Sequence, residues 1–433
     1  MASQSQDEIA KTILQVCRKP LTPSHNATNC GLVSMLNLAP TSVDGFAFAY
    51  SGKVIIPGEK PTIIMLSFSA GTGDNGQIEN ISWAPAALIH ADKAAFYEFS
   101  SSKAAGVICR FGNNRYVANT LYVGKYHSQF KTLQSAIDSI PENNDQWIKI
   151  QISPGCYQEQ ITIPINKPCI VLEGHGSATR ISYYAHERTD LSATFSAFAD
   201  NIIAKYITFE NSYNLGVLER LNLTQQQIDL AASTSKNPLI QAVAARIYGD
   251  KSAFYACSFI GVQDTLWDVQ GRHLFSNCYI QGAVDFIFGN GQSIYERCTL
   301  NYTGGYIGPG AGYVTAQGRE SASEATGFVF RRGMVTGTGQ AYLGRAYRPY
   351  SRVIFIATWF SSIVTPAGWN EWQYKGEERN LVFGEMGCQG PGSETSGRVW
   401  WAKNSISNIG RALRQFSIKA FINQDGWLDN LPG

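Results

Sequence analysis

The stretches FYACSFIGVQDTL (254–266), FSNCYIQGAVDFI (275–287) and IYERCTLNYTGG (294–305) are three versions of one unit. Cys257, Cys278 and Cys298 recur at spacings of 21 and 20 residues, and Gly261 and Gly282 are also 21 apart. A period near 20, built of short strands and turns, predicts a parallel β-helix in which each turn of chain forms one rung. Neighbouring strands then lie about 4.8 Å apart, so residues some 21 positions apart become vertical neighbours. The cysteine column reads as an interior stack of small apolar side chains. A disulfide between adjacent rungs stays open at this point.

The same texture extends outward. WIKIQISPG (147–155), EQITIPI (159–165), CIVLEG (169–174) and NIIAKYITFEN (201–211) are short β-rich runs divided by glycine or polar breaks. They are too short and too numerous for a doubly wound α/β fold. In FKTLQSAIDSIP (130–141), Leu133, Ile137 and Ile140 have helical spacing and Pro141 ends the run. Near the other end, Ile406, Ile409, Leu413 and Phe416 follow a 3-4-3 spacing. That pattern predicts a terminal amphipathic helix with these four on its apolar face. The expected class is all-β, a single-stranded parallel β-helix with short terminal helices, spanning 116–433.

Residues 1–115 form a segment of unknown fold, with short apolar runs broken by Gly, Pro and Ser. GTGDNG (71–76) formally fits a dinucleotide-binding pattern, but the adjoining QIENISWAP (77–85) does not read as a helix, so a turn is the better reading. The opening MASQSQDEIAKTILQVCRKP has Asp7 and Glu8 where a signal peptide would be basic, and no continuous apolar core. Four N-x-S/T sequons, at Asn26, Asn80, Asn222 and Asn301, would fit secretion. Of the 433 residues 44% are hydrophobic and 16% charged, as in a soluble globular protein. The 35 basic and 33 acidic residues give no argument for nucleic acid. No apolar run approaches a membrane span. The nine cysteines are neither a dense disulfide framework nor a CxxC metal pattern.

GAVDFIFGNG (282–291) sets a carboxylate, Asp285, in an apolar, aromatic run, which is costly unless the group is paired or chemically used. The rung spacing supplies companions: Asp264 lies 21 residues before it, and Gln241 lies 22 before Gln263. On a β-helix these four converge on one face. Two stacked carboxylates repel and cannot titrate alike, so one ionises readily while the other keeps its proton to higher pH. That pairing places a nucleophile or base beside a general acid. Arg345, in YLGRAYRPYSR (342–352), can hold the ionised member bidentately. Two glutamine amides can donate to an oxyanion. The bland alternative is a polar ladder along the coil.

QAVAARIYGDKSAFYACSFIGVQDTLWD, GAVDFIFGNG, YLGRAYRPYSR and PAGWNEW resemble the signature blocks of plant-type pectin methylesterases. The resemblance runs from about residue 117 to 430, through FKTLQSAIDSIPENN, GCYQEQITIP and GPGSETSGRVWWAKN to FINQDGWL. It implies a right-handed parallel β-helix that hydrolyses methyl esters of pectin in the cell wall. It assigns Asp285 as nucleophile, Asp264 as general acid then base, Gln241 and Gln263 as the oxyanion site, and Arg345 as the group orienting Asp285. Trp267, Phe288, Tyr347 and Trp369, near the motifs, are expected to line a sugar-binding cleft. No metal or other cofactor is expected, since the six histidines form no zinc-like pattern with cysteine. The implied partners are pectin and a proteinaceous inhibitor, neither nucleic acid nor membrane, and the implied state is a monomer.

The chain departs from the family at Gly344-Arg345-Ala346-Tyr347, where Gly-Arg-Pro-Trp is usual, which predicts altered substrate affinity rather than lost chemistry. Residues 1–115 match neither a secretion signal nor the four-cysteine pro-region of many relatives. They read as a divergent extra domain or a mispredicted gene start, the second preferred; a signal peptide hidden by such a start would restore the cell-wall location. Two other functions compete: a β-helical polysaccharide hydrolase or lyase, and a catalytically silent wall-binding homologue. The glutamine pair beside a single arginine favours acyl transfer over the first, and the full set of five polar residues opposes the second. No G-x-S-x-G motif supports a serine esterase.

Overall fold

The computed structural model describes residues 107–112, 116–216, 239–307, 310–403, 406 and 408–432, together with the backbone of four earlier strands. The chain forms two compact units, Met1–Lys103 and Ala104–Gly433. In the first, Gly31–Ser34, Ala47–Ile55, Thr62–Thr72 and Ile78–His90 form an antiparallel four-stranded sheet in sequence order. GTGDNG begins at the end of the third strand, where Gly71 pairs with Asn80. The connection joins antiparallel neighbours, not the strand and helix of a nucleotide site; residues 73–76 lie outside the described set.

The second unit begins earlier than 116. Cys109 is disulfide-bonded to Cys169, and Asn201 Nδ2 donates to the Val107 carbonyl at 3.1 Å. These links belong to the coil, so the boundary falls at 103/104 instead of 115/116. An irregular, polar segment gave no periodicity by which to assign it.

Among the described residues from Asn119 onward the strands sort into three parallel sheets of ten, eight and eight strands; the first, Asn119–Val123, pairs with the next strand in sequence, and after it each strand pairs with those three before and three after it. This is a right-handed parallel β-helix with three strands per rung. One column of rings shows how the interior is filled. Phe254, Phe275, Tyr295, Phe330 and Phe355 are in register on successive rungs. Their ring centroids are 4.9, 4.6, 4.5 and 4.6 Å apart, nearly the strand spacing itself. Phe275→Ala is therefore expected to cost about 3–5 kcal/mol, read as a lowered urea midpoint, because no neighbour can close the gap without leaving its own stack.

Between this column and the next sheet the chain turns through one left-handed residue per rung. Ala256, Asn277 and Arg297 have φ of 49°, 54° and 54°. Each is followed by one of the repeated cysteines. Cys257, Cys278 and Cys298 are buried free thiols, and each Sγ donates to a backbone carbonyl (Ala204, Phe254 and Phe275) at 3.4 Å. Cysteine suits the column because it fills a small apolar slot and meets the carbonyl exposed by the corner. Burial pushes the Cys257 and Cys278 thiols well above the usual range, so these two are poor nucleophiles.

The predicted first helix is Leu133–Ser139, capped by the Thr132 side chain and by Glu159, which accepts the Leu133 and Gln134 N–H groups. The predicted terminal helix is Ile409–Gln415, but its face differs from expectation. Ala412 and Phe416 are buried, whereas Ile409 and Leu413 are 58% and 43% exposed. Two turns of helix contact the coil along one i, i+4 line only, and Ile406 precedes the helix.

Candidate active site

Leu266–Asp268 and Val284–Gly289 are neighbours in one eight-stranded sheet, with Leu266 opposite Ile287 and Trp267 opposite Phe288. Just before that pairing the Asp264 N–H donates to the Val284 carbonyl at 3.0 Å. Asp264 and Asp285 thus occupy successive rungs, only 8% and 7% exposed. Gln263 bridges to Val284, and the Ala242 N–H donates to the Gln263 carbonyl at 3.2 Å. Gln241, exposed, and Gln263, half-buried, therefore flank the carboxylates on adjacent rungs.

Both aspartates have left-handed backbone, φ 59° and 48°, a conformation that costs on the order of 1–3 kcal/mol in a residue with a Cβ. At Asp285 it belongs to a bulge: Val284 pairs with Tyr313 and Ile287 with Thr315, three steps against two. A bulge re-aims one side chain. Here Phe286 and Ile287, though consecutive, both reach the core, while the Asp285 carboxylate turns toward Arg345. The close pass needs Gly282, because a Cβ there would lie 2.2 Å from the Phe286 Cβ.

Arg345 grips Asp285 with two parallel bonds, Nε to Oδ1 at 2.8 Å and Nη2 to Oδ2. Its guanidinium lies 4.3 Å from the Tyr313 ring centre and 3.6 Å from that of Trp372, so the fork is fixed in plane as well as charged. Burial and the negative charge of Asp285 hold the Asp264 carboxyl well above the usual carboxylate range, with Arg345 opposing weakly. Burial also raises Asp285, but its hydrogen bonds and ion pair with Arg345 oppose that directly. Of the pair, Asp285 is the one favoured to ionise first and Asp264 the one that keeps its proton to higher pH.

Of the four aromatics expected in the cleft, Trp267 and Tyr347 are at least partly exposed along the site, while Phe288 shares the outer face but is buried among Ala193, Val243 and Ala316. Trp267 stacks on Phe288 at 5.2 Å, and Tyr347, 41% exposed, lies 6.0 Å from Trp372. Trp369 does not belong with them. It is 1% exposed, stacks on Phe383 at 4.8 Å and donates from Nε1 to Glu385 at 3.0 Å. Its strand register explains the correction: Trp369 pairs with Gly344 and Asn370 with Arg345, so Asn370 shares the outward face and Trp369 points inward. The outward tryptophan of the same motif is Trp372, which sequence reasoning passed over. It lies in the turn just past the strand, with φ 51°, where β alternation no longer applies and no sequence period marks its direction.

Two carboxylates on adjacent rungs, one clamped by Arg345 and the other held well above the usual carboxylate range by burial and its neighbour's charge, suit acid–base and nucleophilic chemistry on a carbonyl carbon. Similarity to known proteins agrees. A family model described as Pectinesterase matches residues 121–217 and 222–425. The chain is 49% identical over 308 residues to probable pectinesterase 55 of Arabidopsis thaliana, covering 71% of this chain and 88% of that one. Among solved structures, the pectin methylesterase from carrot aligns with a TM-score of 0.62 at 29% identity, covering 71% of this chain and 94% of the carrot chain. That from Aspergillus niger aligns at 0.59 and 26%, covering 72% and 96%. The chain belongs to the pectinesterase family, and it is a carboxylic ester hydrolase.

Proposed function

We propose that this protein hydrolyses the C6 methyl esters of methyl-esterified homogalacturonan through an acyl-enzyme on Asp285. The observation that carries the reading is the asymmetry of the pair, with Asp285 gripped by Arg345 and Asp264 held protonated on the adjacent rung. An Asp285 oxygen attacks the ester carbon, and the oxyanion forms against the Gln241 and Gln263 amides. Collapse breaks the bond to the methoxy oxygen, which takes the Asp264 proton and leaves as methanol. The Asp264 carboxylate then removes a proton from water, whose oxygen attacks the anhydride carbon and frees the galacturonate and Asp285. One water is consumed and one methanol released. A cell-wall setting and a role in wall modification belong to the same reading, and the Cys109–Cys169 disulfide supports an oxidising compartment.

The test is the full chain acting on highly methylated pectin, with three products followed together. Methanol and a falling pH without chain shortening is the expected result. New reducing ends would indicate a hydrolase, and unsaturated sugar ends a lyase. No product from folded protein would favour the silent wall-binding reading.

A further inference from the structure

The tryptophan that lies against Arg345 is itself held by a residue with no part in the steps above. Trp369–Asn370 is the end strand beside Gln340–Ala346, with Trp369 opposite Gly344 and Asn370 opposite Arg345. On its inner side this strand is anchored. Trp369 donates to Glu385, and Arg398, only 5% exposed, grips both Glu385 oxygens at 2.8 and 3.0 Å. Arg398 also donates to the carbonyls of Thr365, Pro366 and Gly392. With the strand fixed from below, the direction of Trp372 is decided in the turn that follows it.

One side chain closes that turn. Asn370 Oδ1 accepts the Trp372 N–H at 2.8 Å, the local bond by which asparagine folds the backbone two residues on. Trp372 has left-handed backbone, φ 51°, which a residue with a Cβ keeps only where its surroundings hold it there. In that conformation its ring centre lies 3.6 Å from the Arg345 guanidinium carbon, with Tyr313 the second ring at 4.3 Å. Trp372 is 37% exposed, whereas the Arg345 side chain is 17% exposed. A guanidinium stacked on rings is confined to one plane, and in that plane Nε and Nη2 meet the two Asp285 oxygens. An ion pair covered in this way loses little to salt, whereas an open one is screened. Swinging Trp372 away would free the fork to turn and open it to solvent.

We infer that Asn370 is a positioning residue for the reaction: by folding the turn it seats Trp372 on Arg345, and through that ring it fixes the fork that holds Asp285. The inference rests on the proposed role of Asp285, and its first test needs no turnover. In the full chain, isotope-labelled at arginine, the Arg345 Nε–H resonance is identified by its absence from Arg345→Lys. Asn370→Ala should shift that resonance, as the ring leaves, and speed its hydrogen exchange by about tenfold or more. The second test is turnover of a fully methyl-esterified oligogalacturonate, which carries no charge for salt to screen. Asn370→Ala should lower kcat about tenfold and make kcat fall further as salt is added. Asn370→Ser, whose hydroxyl closes the same turn more weakly, should lie between in both tests.

A raised KM with unchanged, salt-independent kcat would leave Asn370 serving only the wall of the cleft and overturn the inference. An unmoved Arg345 resonance in Asn370→Ala would overturn it as well. Thermal unfolding identifies a misfolded alanine variant, in which case Asn370→Ser carries both tests. A shifted resonance in a chain that releases no methanol before mutation would sink the esterase reading and leave Asn370 in its place. Methanol release with an unmoved resonance would do the reverse.

Discussion

Asp285→Asn is expected to lower methanol release from highly methylated pectin by on the order of 10⁴-fold or more, the scale on which a nucleophile is missed. The amide has nearly the shape of the carboxylate and keeps the left-handed backbone accessible, so the bulge and the core seats of Phe286 and Ile287 are retained. What it lacks is a negative oxygen that can bond to carbon. In the proposed mechanism this group acts on the ester carbon rather than in holding the polymer, so the loss should appear in kcat more than in KM. The same substitution strands Arg345, whose side chain is only 17% exposed, without its counter-charge. A modest drop in thermal stability should therefore accompany the lost activity. Activity within tenfold of the unmutated chain, in protein of unchanged oligomeric and thermal behaviour, would remove Asp285 from the nucleophile's place.

How much of this was legible depends on what each residue answers to. The coil was readable because its interior repeats with the strand spacing, so Cys257, Cys278 and Cys298 report the period directly. The meeting of Asp264 with Asp285 comes from the same arithmetic. The bulge does not, since it depends on how two strands accommodate three residues against two, which no single strand records. Trp369 and Trp372 were confused because proximity to a motif says nothing about which way a side chain points; the register with Gly344 does. The Cys109–Cys169 link joins residues 60 apart with no repeat to announce it. In the terminal helix the 3-4-3 spacing was real, but only the Ala412 and Phe416 line met the coil.

Asp264→Asn should separate the two halves of the reaction and raise stability while doing so. With no proton to give, methanol leaves more slowly; with no base to activate water, the anhydride on Asp285 persists. Single-turnover quenching should show a mass increase on Asp285 equal to the oligogalacturonate acyl group, with steady-state turnover down by about 10²–10⁴-fold. If turnover were unchanged, another group would be the acid. The same assignment sets the pH profile: activity falls on the acid side as Asp285 takes up a proton and on the alkaline side as Asp264 loses one. The stability sign is fixed by linkage. The folded chain holds the Asp264 proton to higher pH than the unfolded chain does, so the group favours folding below the ordinary carboxylate range. That contribution is lost as pH rises toward the raised folded value. At neutral pH the aspartate is then a net liability, and the amide removes it, so the melting temperature should rise at pH 7 and the gain should fade below about pH 4. A stabilised but inactive Asp264→Asn, beside a destabilised and inactive Asp285→Asn, is the signature of one carboxylate kept for its proton and one kept for its charge.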